Sequence, residues 1–284
     1  MNLFDINDIK KILSRHGFTF SKGLGQNFLI NPDVCPQMAA DCGADYDTGV
    51  LEIGPGIGVL TRELAGLAQK VVAIELDRRL IPVLGETLAG YDNVTVIQGD
   101  VLKLDLREII AGHFAGMKVV VCANLPYYIT SPIIAALLEQ RLNISSVTVM
   151  VQDEVARRIC ADIPGRHSSA FTACVHYYAR AEMLFKVGRE SFVPSPNVDS
   201  AVIRLDIHDA SPVNATDEKQ LFRVIKAAFG QRRKTLLNAL SAGLCLPREQ
   251  TLGLLDRAGV SSTLRAEQLS LQQFADIANV LDFR

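Results

Sequence analysis

Short apolar runs alternate with longer segments of helical periodicity through the first two thirds of the chain. Each apolar run is five or six residues long and is followed by a helical or loop segment. The order strand, helix, strand predicts a parallel, doubly wound sheet with helices on both faces, an α/β fold. The predicted strands are Gly49–Ile53, Lys70–Glu75, Val94–Gln98, Lys118–Ala123 and Ser146–Val151.

The pattern changes on both sides of this region. A helix is predicted from about Asp33 to Cys42, ahead of the first strand. Later, Ala179–Lys186 and Ser200–Ile207 are β-rich without a long helix between them, which favours an antiparallel pair at the sheet edge. The polar segment His208–Lys219 is typical of a linker, and helical periodicity follows from Gln220. We therefore expect an α/β domain over residues 1–208 and a small α-helical domain over 209–284.

A glycine-rich loop follows the first predicted strand. It reads Gly54-Pro55-Gly56-Ile57-Gly58 and leads into a helix that begins near Leu60. Glycines at the carboxyl edge of an open α/β sheet let the backbone approach a bound cofactor closely. The spacing G-x-G-x-G departs from the dinucleotide fingerprint G-x-G-x-x-G, which disfavours NAD and FAD. A tight turn without any ligand is the alternative.

Carboxylates end the second and third predicted strands. Glu75 can accept hydrogen bonds from both ribose hydroxyls of an adenosine, and Asp100 is placed to accept one from an adenine amine. Either residue alone is more commonly a solvated strand end or a helix cap. Together with the glycine loop they favour a nucleoside ligand without a pyrophosphate, of which S-adenosylmethionine is the common one.

The fourth predicted strand ends in Asn124-Leu125-Pro126-Tyr127, which is similar to the N/D-x-P-Y/F loop of amino-directed methyltransferases. An exocyclic adenine amine is a poor nucleophile because its lone pair is delocalised into the ring. Acceptors at Asn124 Oδ1 and the Leu125 carbonyl can hold the amino hydrogens and aim the lone pair at a sulfonium methyl. Pro126 fixes the backbone, and Tyr127 is free to stack on the base. A plain turn is the alternative interpretation.

Composition first argues against a nucleic-acid partner, and the charge distribution reverses that argument. The 284 residues are 49% hydrophobic and 21% charged, and 29 Lys+Arg against 31 Asp+Glu give a net charge of −2. Lys10–Pro32 carries +4 and Lys219–Arg248 carries +7, each without an acid, so the remaining residues carry −13. Two cationic segments in an acidic chain favour phosphate contacts over solvated helix faces. Arg232, Arg233 and Lys234 are predicted to lie on a helix there.

Other composition features exclude several classes of protein. Six scattered cysteines without a C-x-x-C pair favour thiols in a reducing cytoplasm, and the residues after Met1 do not resemble a signal segment. Apolar stretches such as Ile133–Leu138 fall far short of the roughly 18 residues that a membrane span needs. The five histidines lack ligand spacing, so no metal site is expected. We expect a cytoplasmic protein that is not bound to a membrane.

Several sequence blocks together resemble the bacterial KsgA (RsmA) family of small-subunit rRNA adenine dimethyltransferases. Besides the glycine loop and the Asn124 loop, they are Gly23–Leu29, Phe192–Val202 and Phe229–Leu236. The resemblance implies a Rossmann-like class I S-adenosylmethionine-dependent methyltransferase with a C-terminal helical domain. The cofactor-binding residues that it implies, together with the loops above, are Asn27, Leu29, Gly54, Gly56, Gly58, Glu75, Asp100 and Asn124.

The resemblance also implies a substrate and its contacts. The family methylates N6 of two adjacent adenines in the 3′-terminal hairpin loop of 16S rRNA within the assembling 30S subunit, and we expect a monomer. Phe192 would face Tyr127 across the extruded base. The chain departs from the family pattern at Ser168-Ser169, where Tyr-Gly is usual, and at Asp153, where lysine is common. The residues expected to contact RNA are Lys22, Arg232, Arg233 and Lys234.

Other functions fit part of this pattern. The large-subunit rRNA methyltransferases that confer macrolide resistance would share the fold and the mechanism. DNA adenine and protein glutamine methyltransferases could also use an N-x-P-Y loop. A mainly non-catalytic assembly factor, which checks subunit maturation by binding, is an alternative from a different class. Replacing Asn124 separates catalysis from binding, since only transfer should be lost.

Overall fold

The structure is a computed structural model, and it describes residues 1–18 and 27–281. Its strands are β1 (Phe28–Leu29), β2 (Thr48–Ile53), β3 (Lys70–Glu75), β4 (Val94–Gln98), β5 (Lys118–Asn124), β6 (Ser146–Gln152), β7 (Ala179–Val187), β8 (Phe192–Val193) and β9 (Ser200–Ile207). Its α-helices are α1 (Ile6–Arg15), α2 (Val34–Asp41), α3 (Val59–Leu67), α4 (Ile81–Thr87), α5 (Leu106–His113), α6 (Thr130–Glu139), α7 (Asp153–Ile159), α8 (Ala170–Tyr178), α9 (Glu218–Phe229), α10 (Leu236–Leu244), α11 (Arg248–Arg257) and α12 (Leu271–Asn279). Within the described ranges, no helix is both long enough and apolar enough to cross a bilayer.

The main sheet has the strand order β4-β3-β2-β5-β6-β9-β7. Strands β2 to β6 pair with one another in parallel orientation, and β9 pairs with β6 in antiparallel orientation. Val50 of β2 pairs with Val71 on one side and Val120 on the other, and all three are fully buried. Such apolar runs form central strands because helices cover both faces of a parallel sheet. The five predicted parallel strands and the mixed sheet edge are confirmed.

This strand order has a switch point between β2 and β5. The chain moves outward from β2 to β3 and β4, and then returns to place β5 on the opposite side of β2. In open α/β sheets a crevice forms at the carboxyl ends of strands at such a point, and ligands bind there. The glycine loop follows β2 and the Asn124 loop follows β5, so the topology directs both loops to this crevice.

The chain forms two compact units, which the contacts divide as Met1–Ala156 with Glu182–Ile207, and Arg157–Ala181 with His208–Arg284. The expected domain boundary at 208/209 assigns residues 157–181 to the α/β domain, whereas they group here with the C-terminal helices. In this second unit α9 packs against α10 and α12. The tilted rings of Phe229 and Phe274 lie with their centroids 5.8 Å apart, and Phe274 is fully buried there.

The N-terminal segment is more than a basic arm. Residues Ile6–Arg15 form α1, whose N-cap Asp5 accepts hydrogen bonds from two backbone amides of the first turn. Its apolar side chains Ile9, Ile12 and Leu13 are buried in the core that also contains α2 and α3. The expectation of an arm over residues 1–32 is therefore corrected for residues 1–18, because this apolar face is buried. Residues 19–26 lie outside the described chain.

Candidate active site

The glycine loop turns sharply because its glycines adopt conformations that other residues rarely adopt. Gly54 has φ 72° and Gly58 has φ 89°, both in the left-handed region. The Gly54 amide donates to the Ile74 carbonyl of β3 at 2.9 Å, which anchors the start of the loop. Gly58 caps α3, and a Cβ there would lie 3.1 Å from the Leu88 side chain. The loop is thereby fixed against the neighbouring strand.

Glu75 at the end of β3 joins two loops of this crevice. Its Oε1 accepts a hydrogen bond from the Asp77 amide at 2.7 Å, and its Oε2 accepts one from the Gly56 amide at 3.3 Å. Burial raises the pKa of its carboxyl to about 7, although these amide hydrogen bonds oppose the shift. Each carboxylate oxygen has a second lone pair, so the group can still accept hydrogen bonds from a ligand.

Asp100 lies two residues beyond the end of β4. Its Oδ1 accepts a hydrogen bond from the Leu102 amide at 3.1 Å, and the Lys103 ammonium lies 3.4 Å from its Oδ2. The Gly99 amide before it donates to the Glu75 carbonyl at 2.9 Å. The ends of β3 and β4 are thus held together, and their two carboxylates lie at the same edge of the sheet.

Backbone and side-chain hydrogen bonds hold the Asn124 loop in place. The Leu125 amide donates to the Met150 carbonyl of β6 at 3.2 Å, and the Thr130 hydroxyl donates to the Pro126 carbonyl at 3.1 Å. The Tyr127 hydroxyl shares a hydrogen bond with Ser200 Oγ, a fully buried group of β9. The loop that carries Asn124 is therefore tied to two strands of the main sheet.

A second, two-stranded sheet brings distant segments to the same place. Strands β1 and β8 pair in antiparallel orientation, with Leu29 opposite Phe192. The Ile30 amide donates to the Ser191 carbonyl at 2.8 Å, and Asn31 Nδ2 donates to Ser191 Oγ at 3.2 Å. This pairing connects residues that are more than 160 positions apart in the chain. It explains how the Asn27–Leu29 block and Phe192 come to border one cavity.

One cavity gathers nearly all of the residues expected to bind the cofactor or to act in catalysis. It is lined by Asn27, Leu29, Gly54, Gly56, Glu75, Asp100, Asn124, Leu125, Pro126, Tyr127 and Phe192. Gly58 does not line it and instead caps α3. Phe192 is only 2% exposed, and Tyr127 is half-buried. Both rings therefore border the cavity from well-packed positions.

The cavity also has lining residues that the sequence did not indicate. Glu52 of β2 is fully buried, and its Oε2 has no hydrogen-bond partner within the described chain. Burial raises the pKa of its carboxyl to about 8. Tyr128 also lines the cavity, yet 53% of it is exposed. The sequence pattern did not indicate either residue. Glu52 lies within an apolar strand, and Tyr128 follows Tyr127, an aromatic residue that already had an expected role.

The cationic residues of the C-terminal region do not lie on a helix, which corrects the prediction. Arg232, Arg233 and Lys234 occupy the turn between α9 and α10, because α9 ends at Phe229 with Gly230 as its C-cap. The side chains of Arg233 and Lys234 are exposed. Lys22, the fourth residue expected to contact RNA, lies outside the described residues.

Arg232 differs from its two neighbours because it is engaged within the second unit. Its Nη2 donates to the Ser168 carbonyl at 3.2 Å and lies 3.8 Å from Glu267 Oε2. Ser169 caps α8 by accepting a hydrogen bond from the Thr172 amide at 3.1 Å. The Ser168-Ser169 departure from the family pattern thus has a local structural role, whereas Asp153 lies in the first turn of α7, where an acid suits the helix dipole.

The parallel sheet, its switch-point cavity and the loops that line the cavity define a class I methyltransferase fold. The family model for ribosomal RNA adenine dimethylase matches residues 17–282. The ribosomal RNA small subunit methyltransferase A of Geobacillus thermodenitrificans is 48% identical over 276 residues, which are 96% of this chain and 94% of that protein. The chain belongs to the ribosomal RNA adenine dimethylase family.

Solved structures of related enzymes agree with this assignment. A dimethyladenosine transferase from Plasmodium falciparum has a TM-score of 0.75 and 27% identity, covering 88% of this chain and 95% of that one. The 23S rRNA methyltransferase ErmE has a TM-score of 0.69 and 29% identity, covering 90% of this chain and all of that one. The likeness thus extends over most of the chain.

Proposed function

We propose that this protein uses S-adenosylmethionine to dimethylate N6 of two adjacent adenines in the 3′-terminal hairpin loop of 16S rRNA. The observation that carries the proposal is the common cavity, in which the Asn124 loop faces the same space as the glycine loop, Glu75 and Asp100. A loop with amide and carbonyl acceptors beside a nucleoside site suits transfer to an exocyclic amine.

The residues of the cavity fit this cofactor. Glu75 and Asp100 can accept hydrogen bonds from a ribose and from an adenine amine, and the left-handed Gly54 leaves the backbone open to close approach. The buried Oε2 of Glu52 lacks a partner within the described chain, and an unpaired acceptor of this kind suits a cofactor with cationic groups. When bound, S-adenosylmethionine supplies a methyl group that is activated by a positively charged sulfur.

The Asn124 loop would prepare the amine for attack. Asn124 Oδ1 and the Leu125 carbonyl would each accept one amino hydrogen, which turns the lone pair out of conjugation with the ring. The nitrogen loses one hydrogen as a proton to solvent for each methyl that it gains. Both acceptors are thus used in the first transfer and one in the second. Tyr127 and Phe192 would hold the extruded base between their rings.

The proposed partner is the assembling 30S subunit, on which the protein would act as a monomer in the cytoplasm. Arg233 and Lys234 are exposed and suit contacts with the RNA backbone, whose strength should fall with rising salt concentration. Family membership and the 48% identity to a protein named small subunit methyltransferase A support this substrate over 23S rRNA.

Replacing Asn124 tests the catalytic assignment. We expect Asn124→Ala to lower the rate of labelled methyl transfer to undermethylated small subunits by about 100-fold or more. The substitution removes the Oδ1 acceptor, which would bind an amino hydrogen only when the adenine is positioned for reaction. Particle binding should stay near the wild-type value. Asn124→Asp, which keeps an acceptor oxygen, should retain more activity than Asn124→Ala.

The exposed Asn143 lies outside the cavity lining and provides the matched control. Asn143→Ala should transfer methyl groups at the wild-type rate. Retained transfer by Asn124→Ala would refute the role given to Asn124. Loss of particle binding by the same variant would instead assign Asn124 to binding.

A further inference from the structure

Two consecutive tyrosines at the cavity occupy different environments. Tyr127 and Tyr128 share the 3₁₀ turn Tyr127–Ile129, and both line the cavity. The Tyr127 ring is half-buried, and its hydroxyl shares a hydrogen bond with Ser200 Oγ. Tyr128 is 53% exposed, so part of its ring borders the cavity and the rest faces solvent. Its position is therefore at the mouth of the cavity.

Tyr128 is held by its backbone and not by its side chain. The Ile129 amide and the Thr130 hydroxyl both donate to the Pro126 carbonyl, at 3.2 and 3.1 Å. Within the described chain the Tyr128 hydroxyl makes no hydrogen bond, and its ring pairs with no other aromatic ring. A half-exposed ring on a fixed turn can bind a flat partner at a small cost in conformational entropy.

Extrusion of a base creates a need for such a ring. A base that leaves its stack removes the stacking partner of the next nucleotide along the strand, and this loss opposes extrusion. An aromatic side chain at the point where the strand passes the cavity can restore that partner. Stacking on an aromatic ring tolerates any base, because every base has a π-face.

We propose that Tyr128 stacks on the nucleotide next to the target adenine and so compensates for the extrusion of that adenine. The inference rests on the proposed function, since it assumes an RNA strand at this cavity. Tyr127 and Phe192 would hold the target base, whereas Tyr128 would hold its neighbour. Recognition would then extend over two successive bases, of which only one enters the cavity.

A comparison within the chain separates this role from that of an ordinary surface tyrosine. Tyr46 is 78% exposed, but it lies in the turn before β2 and does not line the cavity. Removing its ring should leave RNA binding unchanged. Tyr46→Ala is therefore the matched control for Tyr128→Ala, and Tyr128→Phe keeps the stacking face while removing the hydroxyl.

The test removes the ring and the neighbouring base separately and together. Small subunits would be reconstituted with an rRNA whose synthetic 3′-terminal hairpin is intact, or lacks the base on the 5′ or the 3′ side of one target adenine. Particle dissociation constants would be measured for wild type, Tyr128→Ala, Tyr128→Phe and Tyr46→Ala. Cofactor affinity and thermal unfolding of the same variants would report on folding.

We expect Tyr128→Ala to weaken binding to the intact particle by about 5- to 150-fold, the range for losing one stacked base. On the particle that lacks the base on one side, the same substitution should change binding less than twofold. Tyr128→Phe and Tyr46→Ala should bind as wild type does. An equal loss on all three particles, or no loss on the intact one, would overturn the inference. A wild-type protein that binds no particle would overturn the proposed function as well.

Discussion

At the level of single residues, two glutamates line the cavity from unlike positions. Glu75 could be predicted because it ends an apolar strand, where a polar residue meets the crevice. Glu52 lies within β2 and is fully buried, so an ionisable side chain occupies the position of a core residue. Its role could not be predicted, because burial inside a strand depends on neighbours that are distant in the chain.

Glu52 should make stability depend on pH. Its pKa is about 8 in the folded protein against 4.5 for an exposed carboxyl, so the folded state holds a proton that the unfolded state releases. Stability therefore falls as pH rises from about 4.5 to 8. We expect Glu52→Gln to match wild type at pH 5 and to be more stable by a few kcal/mol at pH 8.5, since each pKa unit corresponds to about 1.4 kcal/mol.

Denaturant unfolding at the two pH values measures this difference. Glu139→Gln, at an exposed position at the end of α6, is the control, and its stability should follow that of wild type at both values. A gain for Glu52→Gln that is the same at pH 5 and at pH 8.5 would contradict the assignment of a raised pKa to this carboxyl.

Because of Glu75, the affinity for the cofactor should rise with pH, whereas the stability contributed by Glu52 falls with pH. The carboxylate accepts two hydroxyl hydrogens, and the protonated acid accepts fewer. With a pKa of about 7, the ionised fraction rises about tenfold between pH 6 and pH 8. We expect the calorimetric dissociation constant for S-adenosylmethionine to fall by up to about tenfold over this range. Glu75→Gln should bind more weakly and lose this pH dependence; if it keeps the dependence, another group is responsible.

At the scale of elements, the long strands could be predicted and the short ones could not. The interiors of β3 and β5 are wholly apolar and rich in valine, and their short length and β-branched residues distinguish them from buried helices. β1 and β8 have two residues each, which is too short for any periodic pattern. Their pairing sets the positions of Leu29 and Phe192. The sequence could associate those residues with the cavity through the family resemblance alone.

The turn between α9 and α10 was predicted as a helix, because charged residues and leucines continue the helical pattern across it. Gly230 ends α9, and the Lys234 amide donates to the Gln231 carbonyl at 2.9 Å within the turn. Glycine has a low helix propensity, and the periodic pattern of apolar residues does not contain that signal. The consequence is that Arg233 and Lys234 extend from a turn.

Arg233 and Lys234 of this turn should contribute to particle binding through phosphates. We expect Arg233→Glu/Lys234→Glu to weaken binding to small subunits and to reduce the slope of log affinity against log salt by about 2. Cofactor affinity and thermal stability should stay unchanged. In contrast to the double variant, Arg232→Ala should lower thermal stability, because Arg232 Nη2 donates to the Ser168 carbonyl. An unchanged salt slope in the double variant would exclude phosphate contacts at this turn.

At the scale of the whole molecule, folding alters what the net charge means. The segment Lys10–Pro32 carries +4 along the sequence, but Arg15 lies 2.6 Å from Glu86 and Lys11 lies 3.6 Å from Asp8. Both acids lie outside the segment that was counted. A charge count along the chain cannot include partners that folding supplies. The N-terminal segment therefore presents less free positive charge than its sequence indicates.

The proposed reaction is methylation of two adjacent adenines of 16S rRNA at this cavity. The most direct measurement incubates the wild-type protein and S-adenosylmethionine with small subunits from cells that lack this modification, and then locates the methyl groups by mass spectrometry of rRNA fragments. We expect two methyl groups on N6 of each of two adjacent adenines in the 3′-terminal hairpin loop, and we expect Asn124→Ala to add them about 100-fold more slowly or slower still. Methyl groups elsewhere in the rRNA, or none at all with the wild-type protein, would contradict it.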